Sequence, residues 1–424
     1  MTVSLPDLVR IRQRFPTHPA VDVAAAVAER WQSLDLSTSI APDARVAIAA
    51  GSRGVRDLVP ALQTLVTLVR QAGGAPFVVP TMGSHGGATG AGQREMLAAL
   101  GVSEETVGAP VVSSMDVVTA GTSRFAAPVW VARDLVEADA VIVLNRVKPH
   151  TDFHGPIESG LVKMLVIGAG KHRGAAETHR LALRHGFPAV LEEHVRLILS
   201  QLRLLCGVAL IEEQHERTAE VHLLTASDII VREPALLARA RSLMPTIPFP
   251  AVDCLVVDEM GKEISGTGMD TKVIGRLEAG GEATGPRVTR IVVRDLTAAS
   301  HGNAIGIGAA DFTTNRLLAA VDRRVTAINC ITSTAPESGR LPIAFEHDVD
   351  AVLAASATCG AASPEDLCLV WIRSTLHLEE LMISTALLEQ ACSDVGLEIV
   401  GEPFPFPVGR DGSLAPVWGW QKDG

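Results

Sequence analysis

The sequence lacks any uninterrupted apolar run of the roughly 18 residues that a membrane-spanning helix requires, although its mean hydropathy is positive at +0.26. Its most apolar stretch, from Val195 to Ile211, is broken by Arg196, Gln201 and Arg203. The opening residues, MTVSLPDLVRIRQRFP, hold no apolar block ahead of a small-residue cleavage site, so no secretory signal is expected and the chain reads as cytoplasmic. Cysteine is sparse: Cys206, Cys254, Cys330, Cys359, Cys368 and Cys392 are dispersed without a CxxC. That spacing disfavours a disulfide framework or a zinc knuckle and predicts reduced thiols that only pack. Basic charge is in deficit, with 37 Lys and Arg against 48 Asp and Glu and a formal net charge of −11. A polyanion is therefore excluded as the main partner, because nucleic-acid binders need a basic face to neutralise phosphates. Internal repeats and low-complexity tracts are also missing.

What the chain does have is length and patterning. Its 424 residues exceed the size at which a single core usually stops growing, so two lobes are expected. Short β-branched runs (Arg45 to Ala49, Pro76 to Val79, Ala140 to Leu144) alternate with helical patterns (Val55 to Gln71, Gln93 to Leu100, Val190 to Leu205). This alternation predicts an α/β fold of two lobes, each a largely parallel sheet flanked by helices, with the active site in the cleft between them. The proline-punctuated connector PTIPFPA follows Met244 and ends any helix there. The expected division is an N-terminal α/β domain over 1–245, a C-terminal α/β domain over 251–395, and a tail over 396–424 that returns to the N-terminal domain. In the second domain VDCLVVDEM, Thr289 to Val293 and Leu367 to Ile372 read as strands, Thr313 to Val321 and Glu379 to Ala391 as helices.

Two segments carry chemistry. In VVPTMGSHGGATGAGQRE, a strand runs into a Gly-rich turn that holds His85 between Gly83, Gly86 and Gly87; small neighbours let a ligand approach the ring. It is neither GxGxxG nor a P-loop, so the turn by itself is equally an ordinary βα connection. In RVKPHTDFHGPIESGLVKMLVIGAGKHRGAAETHR, His150, His154, His172 and His179 crowd around Lys163. Pro149, Gly155 and Pro156 make a helix at His150 and His154 unfavourable, which argues against a zinc-binding i, i+4 pair. Lys163 lies in LVKMLVI, where a bare ammonium is costly to bury unless paired, tethered or neutral. It either snorkels to the surface or is used chemically.

The segments GSHGGAT, KPH, SGLVKMLVIGAG and ETH, in this order, resemble the lactate racemase family, and the interval from Lys163 to His179 is the one expected of that family. The resemblance implies a 2-hydroxyacid racemase or epimerase, an isomerase carrying a nickel-pincer nucleotide (pyridinium-3-thioamide-5-thiocarboxylic acid mononucleotide with nickel). It implies that Lys163 bonds this cofactor covalently, that His179 ligates the nickel, that Gly168 and Gly170 line the cofactor, and that His85 and His150 are the paired catalytic bases. His154 is the alternate for His150, because the stretch from His150 to Lys163 is a few residues longer than in the lactate enzyme. Arg53 in AAGSRGVRD, with Arg56 as second choice, and Lys272 and Arg276 in KEISGTGMDTKVIGR become the substrate-binding candidates; the latter loop departs from the lactate-specific pattern. A small 2-hydroxy acid is the implied substrate, and the enzymes that make the cofactor are the implied maturation partners.

The chemistry this implies is reversible. One imidazole takes the hydroxyl proton while a hydride passes to the cofactor, the planar keto acid turns, and the hydride returns to its other face. Two alternatives remain from the residues alone: a Schiff-base lysine enzyme acting on a keto acid through Lys163, and a nucleotide-binding regulator whose Gly-rich turns merely hold phosphate.

Overall fold

The structure is a computed structural model, which describes residues 4–16, 18–51, 55–151, 153–277, 285–415 and 417–418. Two compact units divide the chain, Thr17–Met244 and a second made of Met1–Pro16 with Pro245–Gly424. Strand β1 (Leu8–Gln13) belongs to the second unit. The first holds β2 (Arg45–Ala50), β3 (Ala75–Pro80), β4 (Val117–Thr122), β5 (Pro128–Ala132), β6 (Ala140–Arg146), β7 (Leu204–Glu212) and β8 (Thr218–Leu224). Five of these form a sheet in the order β3-β2-β6-β7-β8, parallel except for β8, while β4 and β5 pair apart as an antiparallel ribbon.

Both faces of this sheet are covered, which is why its strands read as nearly continuous apolar runs. Val46, Ile48, Ala50, Ile142 and Leu144 pack on one side with Val23, Val27 and Trp31 of the helix Val23–Ser33 and with the helix Leu58–Gln71. Ala47, Ala49, Val141 and Val143 pack on the other with Leu191, Val195 and Ile198 of the helix Phe187–Gln201 and with the helix Ala226–Ser242. From β2 the chain crosses to β3 on one side and later to β6 on the other. Ligands of such sheets bind beyond the C-terminal strand ends at a reversal of this kind, and the Gly- and His-rich segments follow β3 and β6 there. Asn145, near the end of β6, ties this strand end to the later segment by donating to the Gly160 carbonyl at 2.8 Å.

The second unit adds β9 (Ala251–Met260), β10 (Arg287–Leu296), β11 (Phe312–Thr314), β12 (Ile343–Phe345), β13 (Leu369–Ile372), β14 (Glu380–Ser384) and β15 (Leu397–Phe404). Its sheet runs β12-β11-β10-β9-β13-β14-β1-β15. The strands from β12 to β13 are parallel and the last three are antiparallel. The α/β fold class is as expected from the alternation.

Four expectations are corrected. The first residues do not join the N-terminal domain: Ile11 pairs with Leu381 and with Ile399, so β1 is an interior strand of the second sheet. The tail likewise returns to the second unit, through β15 on β1 and through the indole N–H of Trp418, which donates to Asp258 at 2.6 Å. Residues 380–384 are strand where a helix was expected from Glu379 to Ala391: Leu381 and Ile383 point into one core and Met382 into the other, a period of two imposed by β1 and β13 on either side. The helix expected from Val190 to Leu205 ends at Gln201, and Leu204 starts β7.

All six cysteines are free thiols; Cys206, Cys254 and Cys330 are buried and Cys392 is exposed. Among the described residues no helix is long and apolar enough to cross a membrane.

Candidate functional site

Lys163 ends a single helical turn, Leu161–Lys163, that continues into a π-helical turn over Met164–Gly168. The i→i+5 bond from the Ala169 N–H to the Met164 carbonyl, 2.8 Å, marks the widened turn, a local geometry common at functional sites. The turn is anchored by Glu233, a wholly buried carboxylate whose Oε2 accepts from the N–H groups of Leu161 and Val162 at 2.8 and 3.0 Å. Gly160 is required at this contact, since a Cβ there would lie 2.4 Å from Glu233 Oε1. Burial pushes the Glu233 carboxyl up to about 7 against the lowering effect of the two N–H donors.

The Lys163 amine meets the Nε2 of His150 in a hydrogen bond, so of the two candidate histidines in the KPHTDFH segment it is His150 that pairs with the lysine. His154 turns to the buried Glu158, its Nδ1 3.6 Å from Oε1. Glu158 organises the whole loop. Its Oε2 accepts from the His150 backbone N–H at 2.5 Å, its Oε1 from the Gly155 N–H at 3.2 Å, and Arg241 closes the arrangement at 2.5 Å.

A ladder of rings leads from His150 to His179. His150 stacks on Phe153 and Phe153 on Phe187, each at 4.4 Å between centroids, and Phe187 meets the His179 ring edge-on at 5.4 Å. The Lys163 ammonium also lies 5.7 Å from the Phe153 ring centre, within cation–π reach. His179 sits in the helix Lys171–His185 and bonds through Nδ1 to the Ala175 carbonyl, 2.7 Å. A carbonyl only accepts, so Nδ1 carries a proton, and in the neutral ring Nε2 is the nitrogen with the lone pair.

The His85 loop packs against the same segment. The Gly83 N–H donates to the Gly168 carbonyl at 3.1 Å, and a Cβ on Gly83 would stand 3.2 Å from the Ile167 carbonyl. Gly168 and Gly170 are close-packing positions: Cβ atoms there would lie 2.6 Å from the carbonyl oxygens of Thr81 and Val166 respectively. His85 itself is exposed at the turn. Beneath it Gln93, buried in the helix Gly90–Ala99, donates through Nε2 to the Gly83 carbonyl at 2.9 Å and to the His85 carbonyl at 3.4 Å.

Of the substrate candidates, Arg53 lies outside the described residues. Arg56 is exposed, and its backbone N–H donates to Glu212 at 2.9 Å. Lys272 and Arg276 lie in the other unit. Lys272 is buried in the turn Thr271–Ile274, and Arg276 donates to Asp311 at 2.8 Å and to the carbonyls of Ala309, Val288 and Thr289, fastening the start of β10.

Sequence reasoning missed Glu158, Glu233, Lys171, Gln93 and the two phenylalanines. The Glu in the apolar run of IIVREPALL was a signal for Glu233, since a carboxylate on an apolar helix face needs a partner. Nothing local marks its partner, the turn before Lys163.

Residues 59–233 match a protein family described as Domain of unknown function (DUF362). No curated protein matches the chain. Among solved structures, the chain is similar to the lactate racemase apoprotein from Thermoanaerobacterium thermosaccharolyticum, with 12% identity, a TM-score of 0.52, and 87% of this chain and 93% of that one covered. It also matches a crystal structure of a protein from Thermotoga maritima at 13% identity and a TM-score of 0.49, over 85% of this chain and 99% of that one. At such identity the first likeness establishes the fold.

Proposed function

We propose that this chain is a cytoplasmic isomerase that racemises or epimerises a small 2-hydroxy acid, with a nickel-pincer nucleotide tethered to Lys163 and its nickel ligated by His179. The observation that carries this reading is the array of Lys163, His150 and His179 joined by the Phe153 and Phe187 rings. The residues fit the group: an amine on a well-anchored turn suits an acyl link, stacked rings suit a flat heteroaromatic cofactor, and the bond from His179 Nδ1 to Ala175 leaves Nε2 as a metal-ligating nitrogen. The lactate racemase named for the structural neighbour has the same fold, which supports the class of reaction without fixing the substrate.

When bound, the cofactor supplies a hydride acceptor that makes the substrate's carbinol carbon planar. The chain's own groups move protons and hold the substrate. His150 and His85 serve as the bases for the hydroxyl proton on the two faces of the substrate. Lys163, which would hold the cofactor, lies against His150 Nε2, so this base would stand beside the tether. Glu158 holds the His150 backbone, and Glu233 holds the turn from which Lys163 projects.

Intact-mass measurement on protein co-produced with cofactor-making enzymes, together with a nickel assay, tests the reading. The wild type gains the adduct mass; Lys163→Ala gains none and keeps its fold by circular dichroism. An unmodified wild-type mass rejects the tether. A lysine amine beside an imidazole also suits imine formation with a keto acid, and trapping by borohydride at Lys163 would favour that second reading.

A further inference from the structure

We propose that Lys171 and Gln93 are positioning residues that hold the His85 loop in register with the segment carrying Lys163 and His179. The proposal rests on the functional reading above, in which His85 is a base that works beside the Lys163 tether.

Lys171 is an improbable residue where it stands. It opens the helix Lys171–His185 with a left-handed φ of 53°, a backbone state that side chains with a Cβ rarely adopt and glycine takes freely. Its side chain is wholly buried. Burial pushes the ammonium down to about 8, opposed by the charge of Asp134. Backbone strain and desolvation both weigh against a lysine here, and the bonds of its ammonium offset them. It donates to the Pro80 carbonyl at the end of β3 and to Gln93 Oε1 at 3.1 Å.

Those bonds fix the amide of Gln93 in one orientation. An ammonium only donates, so Oε1 must face Lys171; Nε2 then faces the carbonyls of Gly83 and His85, which only accept. The relay therefore runs from Lys171 through Gln93 to the backbone on both sides of Ser84. Lys171 lies between Lys163 and His179 in sequence, so one buried cation links the end of β3, the His85 loop and the proposed cofactor segment. Gly86 completes the seat: a Cβ there would lie 2.4 Å from the Gly92 carbonyl carbon, one residue before Gln93.

Gln93→Glu separates positioning from bulk stability. The carboxylate keeps an acceptor for Lys171, and pairs with it more strongly, but it loses both donors to the loop and repels the Gly83 and His85 carbonyls. In the apoprotein, hydrogen exchange of peptides covering residues 82–89 should speed up on the order of tenfold in Gln93→Glu and in Lys171→Met. The strands β2 and β6 should keep their protection in Gln93→Glu, and if Lys171→Met does not fold, Gln93→Glu alone carries the test. In cofactor-loaded protein, kcat should fall on the order of tenfold while KM stays within about twofold and the Lys163 adduct mass is retained. Unchanged exchange over 82–89 overturns the proposal, as does faster exchange with an unchanged kcat. A wild type that takes up no adduct overturns the functional reading instead and removes the catalytic meaning of the scaffold, while the apoprotein exchange still reports whether the relay exists.

Discussion

Replacing Glu233 by Gln should change the pH dependence of stability in a direction the structure dictates. The carboxyl is wholly buried, Oε2 accepts two backbone N–H groups, and Oε1 has no hydrogen-bond partner. Its pKa is raised from 4.5 to about 7, so the folded unit holds a proton through a range in which the unfolded chain has released it. The stabilisation from this proton is complete below about 4.5 and is lost as pH rises through about 7. A shift of about 2.5 units corresponds to ~3 kcal/mol, most of which falls between about pH 5 and about pH 8. A glutamine accepts the same N–H bonds through its oxygen and does not titrate. Its amide nitrogen takes the place of Oε1 and costs the same at both pH values, so that term cancels in the comparison. The gain in stability of Glu233→Gln over wild type should therefore be larger by about 2–3 kcal/mol at about pH 8 than at about pH 5. Hydrogen exchange in β2 and β6 under increasing urea reports the opening of this unit separately from the other. An equal difference at both pH values would show that Glu233 does not change its protonation in this range, and the account of the buried carboxyl would fail.

The histidine assignments give outcomes for four further variants. His179→Ala should retain the Lys163 adduct but lose nickel on dialysis, measured as metal per protein by mass spectrometry; equal nickel content removes His179 from the ligand set. His150→Ala should lower racemisation in both directions by about 10²–10⁴-fold, the usual contribution of a general base, and His85→Ala should do the same. His154→Ala should cost less, because its ring meets Glu158 rather than Lys163; collapse in His154→Ala with near-normal turnover in His150→Ala would reverse the assignment.

The sequence by itself determined what depends on neighbours along the chain. The alternation of β-branched runs and helical patterns specified a parallel α/β unit, because strands buried on both faces must be apolar throughout. Gly-rich turns after β3 and β6 marked the edge where the His and Lys residues gather, and the connector after Met244 marked the division between units. Tertiary structure decided what depends on residues far apart. Glu233 reaches the turn before Lys163 from a helix that follows β8, and Arg241 reaches Glu158 from the same helix. Neither pairing leaves a local trace, since each carboxylate's environment is made by segments that meet only on folding. Which of His150 and His154 meets Lys163 was of the same kind: both rings sit in one short loop, and the direction each takes is set by where Glu158 and Lys163 come to lie. The strand at 380–384 had a pattern compatible with a helix until β1 and β13 flanked it, and the tail found its place only because β1, from the opposite end of the chain, offered it an edge. Short-range chemistry thus marked most of the elements and the candidate groups, while long-range burial and hydrogen bonding fixed which of those groups touch.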